Sequence, residues 1–347
     1  MKAAALTGIR QIEIIDLPEP RLSSEHDVLL QVELVGICGS DVHYYETGRI
    51  GEEAVRYPFV LGHECAATVV DVGKAVKGVK VGDRVAVEPA VACGDCQQCR
   101  AGRENTCSNL RFLGCPGQMQ GCLREYIVMP ERCCFRVDES VGFAEAVLCE
   151  PLAIALYAVR QAQMPAGADV AILGAGPIGL SCLLAARVGR AGSFYVTEKV
   201  AERVNVAARA GATWVGNPDS EDVVAEILQR RPDGVDVAFE CAGQQETIDQ
   251  AVDVLKPGGK IMLIGIPRID RVSFVIEKIR RKEITIVNVR RQNQCTQLAV
   301  DAVRTGRIVP GFMATHRFGL EQVQQAFDMV AGYQDGVIKA MVQVQSR

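Results

Sequence analysis

Apolar positions along this chain follow two different grammars, and the change falls near Leu152. From Met1 to about Pro89 the apolar runs are short and broken by Gly, Pro and Asp, with a period-two alternation at Gln11-Ile12-Glu13-Ile14. Such runs predict strands over 28–34, 65–72 and 84–87, the last fed by a turn at Lys80-Val81-Gly82-Asp83. A mainly β, barrel-like region is expected there. From Asp169 onward short apolar runs alternate with helical spacing. Strands are expected at 170–173, 194–197, 213–215, 235–240, 260–264 and 284–287, and helices at 180–188, 202–210, 221–228, 245–255 and 275–281. Strands joined by helical crossovers are the pattern of an α/β, doubly wound parallel sheet. The tail carries helices over 298–303 and 320–329 and a strand over 338–344, without extending the alternation. It is expected to return to the first domain, giving one domain of 1–153 with 288–347 and a second of 154–287.

Composition narrows the class. A length of 347 residues suits about two domains, and 48% hydrophobic with 23% charged residues argues against disorder. A formal net charge of −4 argues against a broad nucleic-acid surface. No apolar run reaches the roughly 18–20 residues of a membrane span. The opening Met1-Lys2-Ala3-Ala4-Ala5-Leu6 lacks the apolar core of a signal peptide, so a cytoplasmic protein is expected. Fourteen cysteines in such a chain fit a reducing compartment, where thiols stay free for metals.

Cysteine spacing separates two kinds of site. Cys93, Cys96, Cys99 and Cys107 form a C-x2-C-x2-C-x7-C run. Four thiolates make a closed tetrahedral zinc site with no position left for chemistry, so a structural role is expected. Iron–sulfur clusters use related spacings, but in two-cluster ferredoxins the run ends in Cys-Pro, whereas Ser108 follows Cys107 here. Of the others, Cys65, Cys122, Cys182 and Cys241 sit in apolar patterns and read as small core residues. Apart from these stands Gly62-His63-Glu64, with Gly36-Ile37-Cys38-Gly39-Ser40-Asp41-Val42-His43 upstream. One Cys, one His and one Glu would suit a catalytic zinc, which keeps a position open for substrate. By themselves, these residues are equally compatible with packed or solvated side chains.

The third motif is Gly174-Ala175-Gly176-Pro177-Ile178-Gly179, a G-x-G-x-x-G that follows an apolar strand and opens a helix. In that context Gly174 permits the tight turn, Gly176 lets backbone approach a pyrophosphate and Gly179 lets helix pack on strand. Nineteen residues beyond Gly179, Glu198 ends the next strand, where a carboxylate accepts the ribose hydroxyls and repels a 2′-phosphate. NAD is therefore expected in preference to NADP. Arg203 is placed to greet a phosphate, yet equally to pair with Glu198 or stack on adenine.

A nicotinamide fold, a candidate catalytic zinc and a four-cysteine lobe together resemble the zinc-dependent medium-chain alcohol dehydrogenases over essentially the whole chain. Within that family, the stretches 38–51, 62–64, 149–153 and 315–318 look like the sorbitol/xylitol (polyol) dehydrogenases. The resemblance implies a Rossmann NAD domain beside a GroES-like catalytic domain, with two zinc ions per chain. It makes Cys38, His63 and Glu64 the catalytic zinc ligands, with Glu150 binding the metal or its water and Asp41 orienting the imidazole. Read from residues alone, Glu150 is instead a helix-start carboxylate ahead of Pro151. Ser40 and His43 match the family's proton relay, and Tyr44, Arg49 and Arg291 its substrate pocket. The family's Arg-Tyr pair is here Arg291-Gln292, preceded by Arg290, which leaves the substrate open.

The activity so implied is hydride transfer from a secondary hydroxyl of a sugar alcohol to NAD, giving a ketose. A sugar acid, a polyol phosphate or L-threonine is the alternative substrate, and a non-catalytic NAD- or zinc-binding protein the reading of a different class. Neither a nucleic-acid nor a membrane partner is expected. The family implies dimers or tetramers, a tetramer being favoured, and the apolar strand 284–287 could pair with a second copy.

Overall fold

The computed structural model describes residues 1–345, so the last two residues of the expected 288–347 segment lie outside the described part. The chain separates into two compact units, Met1–Glu150 with the chain from Thr296 onward, and Pro151–Cys295.

The first unit is built on a seven-stranded sheet. Its long strand Asp27–Gly36 buries Val28, Leu30, Val32 and Leu34 while alternate residues stay half-exposed, the period-two pattern of a strand with one face on the core. Glu64–Val72 and Lys339–Gln343 pair with it antiparallel, so a strand from the end of the chain completes a sheet begun near its start. Lys339–Gln343 is buried along nearly its whole length, because the Ala314–Gly319 strand covers its other edge in parallel pairing. That neighbour is absent from the sequence pattern, since Ala-Thr-His-Arg-Phe-Gly has neither an apolar run nor clean alternation.

The second unit holds a six-stranded, all-parallel sheet. From edge to edge the strands are Trp214–Gly216, Ser193–Thr197, Asp169–Leu173, Val235–Glu240, Leu255–Leu263 and Thr285–Asn288. Strand order reverses beside Asp169–Leu173, the switch point where open α/β sheets bind ligands. The fifth strand differs from expectation. The preceding helix stops at Val254, and the chain turns extended at Leu255 with ψ 139° and runs through Gly258 at φ 77°. The Gly258-Gly259 pair, which reads as a loop, instead lies within the strand.

Helix Phe143–Ala162 removes the helix-start alternative for Glu150. Pro151 lies inside it, so Glu150 stands in mid-helix rather than at a helix start. A proline there costs an amide donor. The helix persists because Val147, Leu148, Cys149, Leu152 and Ala153 are all fully buried. Among the described residues no helix is long and apolar enough to cross a membrane.

Candidate metal centre and dinucleotide turn

Antiparallel pairing assembles the first site. Gly36, at the end of one strand, lies opposite Glu64, at the start of its neighbour. Two residues on, Cys38 is the N-cap of helix Gly39–Thr47. The donor atoms of Cys38, His63 and Glu64 thereby fall within 4.8 Å of one another. Glycine is required at 36, where a Cβ would stand 2.5 Å from Glu64 Oε2.

Asp41, one turn into the helix and 1% exposed, ties the two ligand segments together. Its Oδ2 accepts the Cys38 N–H at 3.0 Å and its Oδ1 the Gly62 N–H at 3.1 Å, while His63 Nδ1 lies 3.4 Å from the same Oδ1. The imidazole is thus oriented through Nδ1, leaving Nε2 for a ligand. Burial alone would lower the His63 pKa, but Asp41 and Cys38 outweigh it and hold the ring well above its ordinary value.

Sequence reasoning missed Lys339. Its side chain is fully buried, with the ammonium 2.7 Å from the Glu64 carboxylate and donating to the Ile37 carbonyl at 3.1 Å. Burial works against this charge, and Glu64 more than compensates, so the lysine pKa is raised. The available signal was one charge in the apolar run Val337-Ile338-Lys339-Ala340-Met341-Val342, since lysine is almost never fully buried unless paired. Although the lysine lies so close, Glu64 Oε2 is buried and receives no aligned hydrogen bond. A soft thiolate, an imidazole and a carboxylate whose Oε2 makes no aligned hydrogen bond are a donor set that fits zinc.

Glu150 is buried but is not among these three donors. Burial pushes its carboxyl up to about 8, with His63 pulling the other way. Ser40 and His43, three residues apart on one helix, share a half-exposed face, while Asp41, Tyr44 and Tyr45 are buried. Arg49 is exposed, its Nε donating to the Gly51 carbonyl at 3.0 Å. Arg291 lies in the other unit, half-buried after the last strand, with left-handed backbone at φ 54°.

The four-cysteine run forms a second cluster. Sγ–Sγ separations are 3.5 Å for Cys96–Cys99 and Cys93–Cys107, 3.8 Å for Cys96–Cys107 and 4.0 Å for Cys93–Cys99. Four sulfurs about 2.3 Å from a tetrahedral zinc would be about 3.8 Å apart, so the cluster fits the ion. Backbone N–H groups of Cys99 and Ser108 lower the Cys96 thiol to about 6, which favours a thiolate. The lobe has little else to hold it: helix Gln97–Arg100 buries no residue and turn Glu104–Thr106 only Asn105. Replacing Cys96 by alanine is expected to lower zinc from two ions per chain to one. Trypsin should then cut at Arg100 or Arg103 at least about tenfold faster, because metal binding is this lobe's folding energy. Metal analysis and limited proteolysis check both.

In the second unit, Gly174 follows the central strand at φ 99°, and a Cβ at Gly179 would stand 1.8 Å from the Gly174 carbonyl oxygen. Gly176 caps helix Pro177–Val188, with Pro177 in the first turn and Ile178 next. Space at Gly176 is open except for Arg203 Nη1, 3.6 Å from where a Cβ would be. Glu198 Oε2 accepts the Ala175 N–H at 2.8 Å, and its Oε1 the N–H groups of Lys199 and Val200, at 2.8 and 3.0 Å. The carboxylate is thus fixed against the glycine turn. Lys199, a nearby cation suited to a 2′-phosphate, is engaged by Asp219 at 3.0 Å and Glu246 at 3.5 Å. A helix N-terminus under a bare glycine turn, flanked by an anchored carboxylate, fits NAD.

Comparison with known proteins agrees with both halves. Residues 24–139 match the alcohol dehydrogenase GroES-like domain, and residues 177–305 the zinc-binding dehydrogenase domain. A sorbitol dehydrogenase of Bacillus subtilis (strain 168) is 37% identical over 343 residues, 99% of this chain and 97% of that protein. An L-idonate 5-dehydrogenase of Vitis vinifera is 35% identical over 336 residues, 95% of this chain and 91% of that protein. Among solved structures, an Escherichia coli oxidoreductase/dehydrogenase of unknown specificity superposes with a TM-score of 0.94 at 34% identity, covering 99% of each chain.

Proposed function

Since the chain belongs to the zinc-dependent medium-chain alcohol dehydrogenase family, we propose that it oxidises a secondary hydroxyl of a sugar alcohol to the ketone with NAD as acceptor. The observation that carries this reading is the mixed donor set Cys38, His63 and Glu64, whose donor atoms lie within 4.8 Å of one another. When bound, zinc supplies Lewis acidity to the hydroxyl and NAD accepts the hydride.

The chain's own residues do the rest. Cys38, His63 and Glu64 hold the metal, and Asp41 keeps the imidazole and both ligand segments in register. Ser40 takes the hydroxyl proton and His43, on the same half-exposed helix face, passes it to solvent. Glu150, buried and with its pKa raised to about 8, is a proton-holding group beside the ligands and not a permanent one of them. Gly174, Gly176, Pro177, Ile178 and Gly179 receive the pyrophosphate, while Glu198 reads the ribose hydroxyls and Arg203 supports the turn. Tyr44, Arg49 and Arg291 are assigned to the substrate.

A sugar acid is the second reading, favoured by Arg290 and Arg291 and by the likeness to an L-idonate 5-dehydrogenase. An NAD-reduction screen over sorbitol, xylitol, galactitol, an aldonate and a polyol phosphate separates the two. Polyol turnover with a KM below that of the aldonate is the expected result, and a large aldonate preference would reject the assignment.

Assembly and location complete the proposal. Strand Thr285–Asn288 is a sheet edge, with Ile286 half-buried and Val275 and Ile276 exposed in the segment leading to it. Edge-to-edge pairing of two copies would cover it, within a tetramer. Light scattering on the screened sample reads the mass. Fourteen free thiols suit a reducing compartment, the cytoplasm.

A further inference from the structure

A group of polar side chains around Tyr44 is fastened to both ligand segments. Tyr44 lies on the helix that Cys38 caps and is only 5% exposed, yet its hydroxyl meets polar atoms: Glu53 Oε2 at 3.3 Å and Cys115 Sγ at 3.7 Å. Cys115 Sγ stands 2.9 Å from the same carboxylate oxygen, and Gln118 Nε2 donates to Glu53 Oε1 at 2.8 Å. The segment bearing Cys115 and Gln118 is laced to the chain just before His63. Gly121 N–H donates to the Val60 carbonyl at 2.7 Å, Cys122 N–H to Gly62 at 2.9 Å and Leu123 N–H to Leu61 at 3.1 Å. Phe112 packs on the His63 ring, with centroids 5.3 Å apart.

The donors and acceptors in this group do not balance. A carboxylate offers about four acceptor positions, and Tyr44, Cys115 and Gln118 fill three. Because the Gln118 amide nitrogen faces Glu53, its oxygen faces elsewhere, and that Oε1 is buried with no hydrogen-bond donor. Burial, then Cys115 and Glu53, push the Tyr44 phenol above its ordinary pKa, so it remains a donor to the carboxylate. No lysine or arginine pairs with Glu53 among the described residues. Glu53, half-buried, therefore keeps one negative charge and one unfilled acceptor position, while the Gln118 amide holds its carboxylate in place. A neutral polyol supplies hydroxyl donors there. A carboxylate or phosphate supplies none and brings a like charge.

Resting on the polyol reading above and deepening it, we propose that Glu53, held in place by Gln118, is a specificity-determining residue that accepts a hydroxyl donor from a neutral polyhydroxylated substrate and turns away its anionic analogues. Glu53 sits in a two-residue strand paired with Arg49–Ile50, apart from the Cys38, His63 and Glu64 donor set.

Glu53→Gln keeps the shape but removes the charge and turns one acceptor oxygen into a donor. For a polyol and the aldonate of the same carbon skeleton, the variant is expected to raise polyol KM about tenfold with kcat little changed. It should also shift the polyol-to-aldonate ratio of kcat/KM by about a hundredfold toward the aldonate. Gln118→Leu, which leaves the Glu53 charge in place, should raise polyol KM without improving the aldonate. Zinc content and melting temperature equal to wild type exclude a folding effect. Were Glu53→Gln insoluble, an unchanged polyol KM in Gln118→Leu would overturn the inference. Wild-type polyol turnover with an unaltered ratio in Glu53→Gln overturns it and leaves the polyol reading standing. A wild type that prefers the aldonate, or turns over no polyol, overturns both.

Discussion

Cys38→Ser is expected to remove one of the two zinc ions per chain and to lower kcat/KM for NAD-dependent alcohol oxidation by about a thousandfold or more. Lewis-acid stabilisation by a bound metal is worth several kcal/mol, and each 1.36 kcal/mol is about tenfold in rate. Serine at 38 keeps the helix N-cap but offers a poor ligand, so the effect falls on the metal. The remaining zinc should stay with Cys93, Cys96, Cys99 and Cys107, whose sulfurs form a separate cluster. Metal analysis and steady-state kinetics on one preparation test the point. Loss of the ion with full polyol oxidation would refute the role given to Cys38, His63 and Glu64.

Lys339→Met carries the second large effect, on stability. Methionine fills much of the same volume, so the change chiefly deletes the ammonium that lies 2.7 Å from Glu64. Both partners are 1% exposed, and removing one member of a buried pair leaves an uncompensated charge at a cost of roughly 3–5 kcal/mol. A metal on Glu64 supplies positive charge in place of the lysine. The destabilisation should therefore be largest in chelator-treated protein and smaller with zinc bound. Thermal unfolding of both proteins, with and without zinc, gives four midpoints. Equal losses in the two metal states would show that Lys339 acts through packing alone.

Local motifs were legible in the sequence because their chemistry is local. Cys93, Cys96, Cys99 and Cys107 lie within fifteen residues, so chain connectivity alone brings four thiols near one ion. The 174–179 turn announces itself because backbone at φ 99° at Gly174, and a Gly179 whose Cβ would stand 1.8 Å from the Gly174 carbonyl oxygen, admit only glycine. Parallel strands buried on both faces read as continuous apolar runs, which made the six-stranded sheet visible. The helix-start alternative for Glu150 fails for the converse reason. Proline usually opens a helix, and only the burial around Pro151 holds it in the interior of one.

Lys339 and Glu53 show what composition and spacing do not contain. Lys339 is 275 residues from Glu64, and it reaches the carboxylate because its strand docks on the Asp27–Gly36 strand beside the Glu64 strand. Glu53 lies 62 and 65 residues from Cys115 and Gln118, with nothing in any of their local patterns to join them. The sequence by itself determined the two-domain architecture, the four-cysteine run and the dinucleotide turn, since each depends on local spacing or on a periodic apolar face, whereas Cys38, His63 and Glu64 stood out as zinc ligands only through the family resemblance. Only the tertiary structure decided which charge neutralises Glu64 and which side chains gather around Glu53. Those contacts depend on strand register and on burial, where an unpaired charge or acceptor is costly and the long-range partner determines its chemistry.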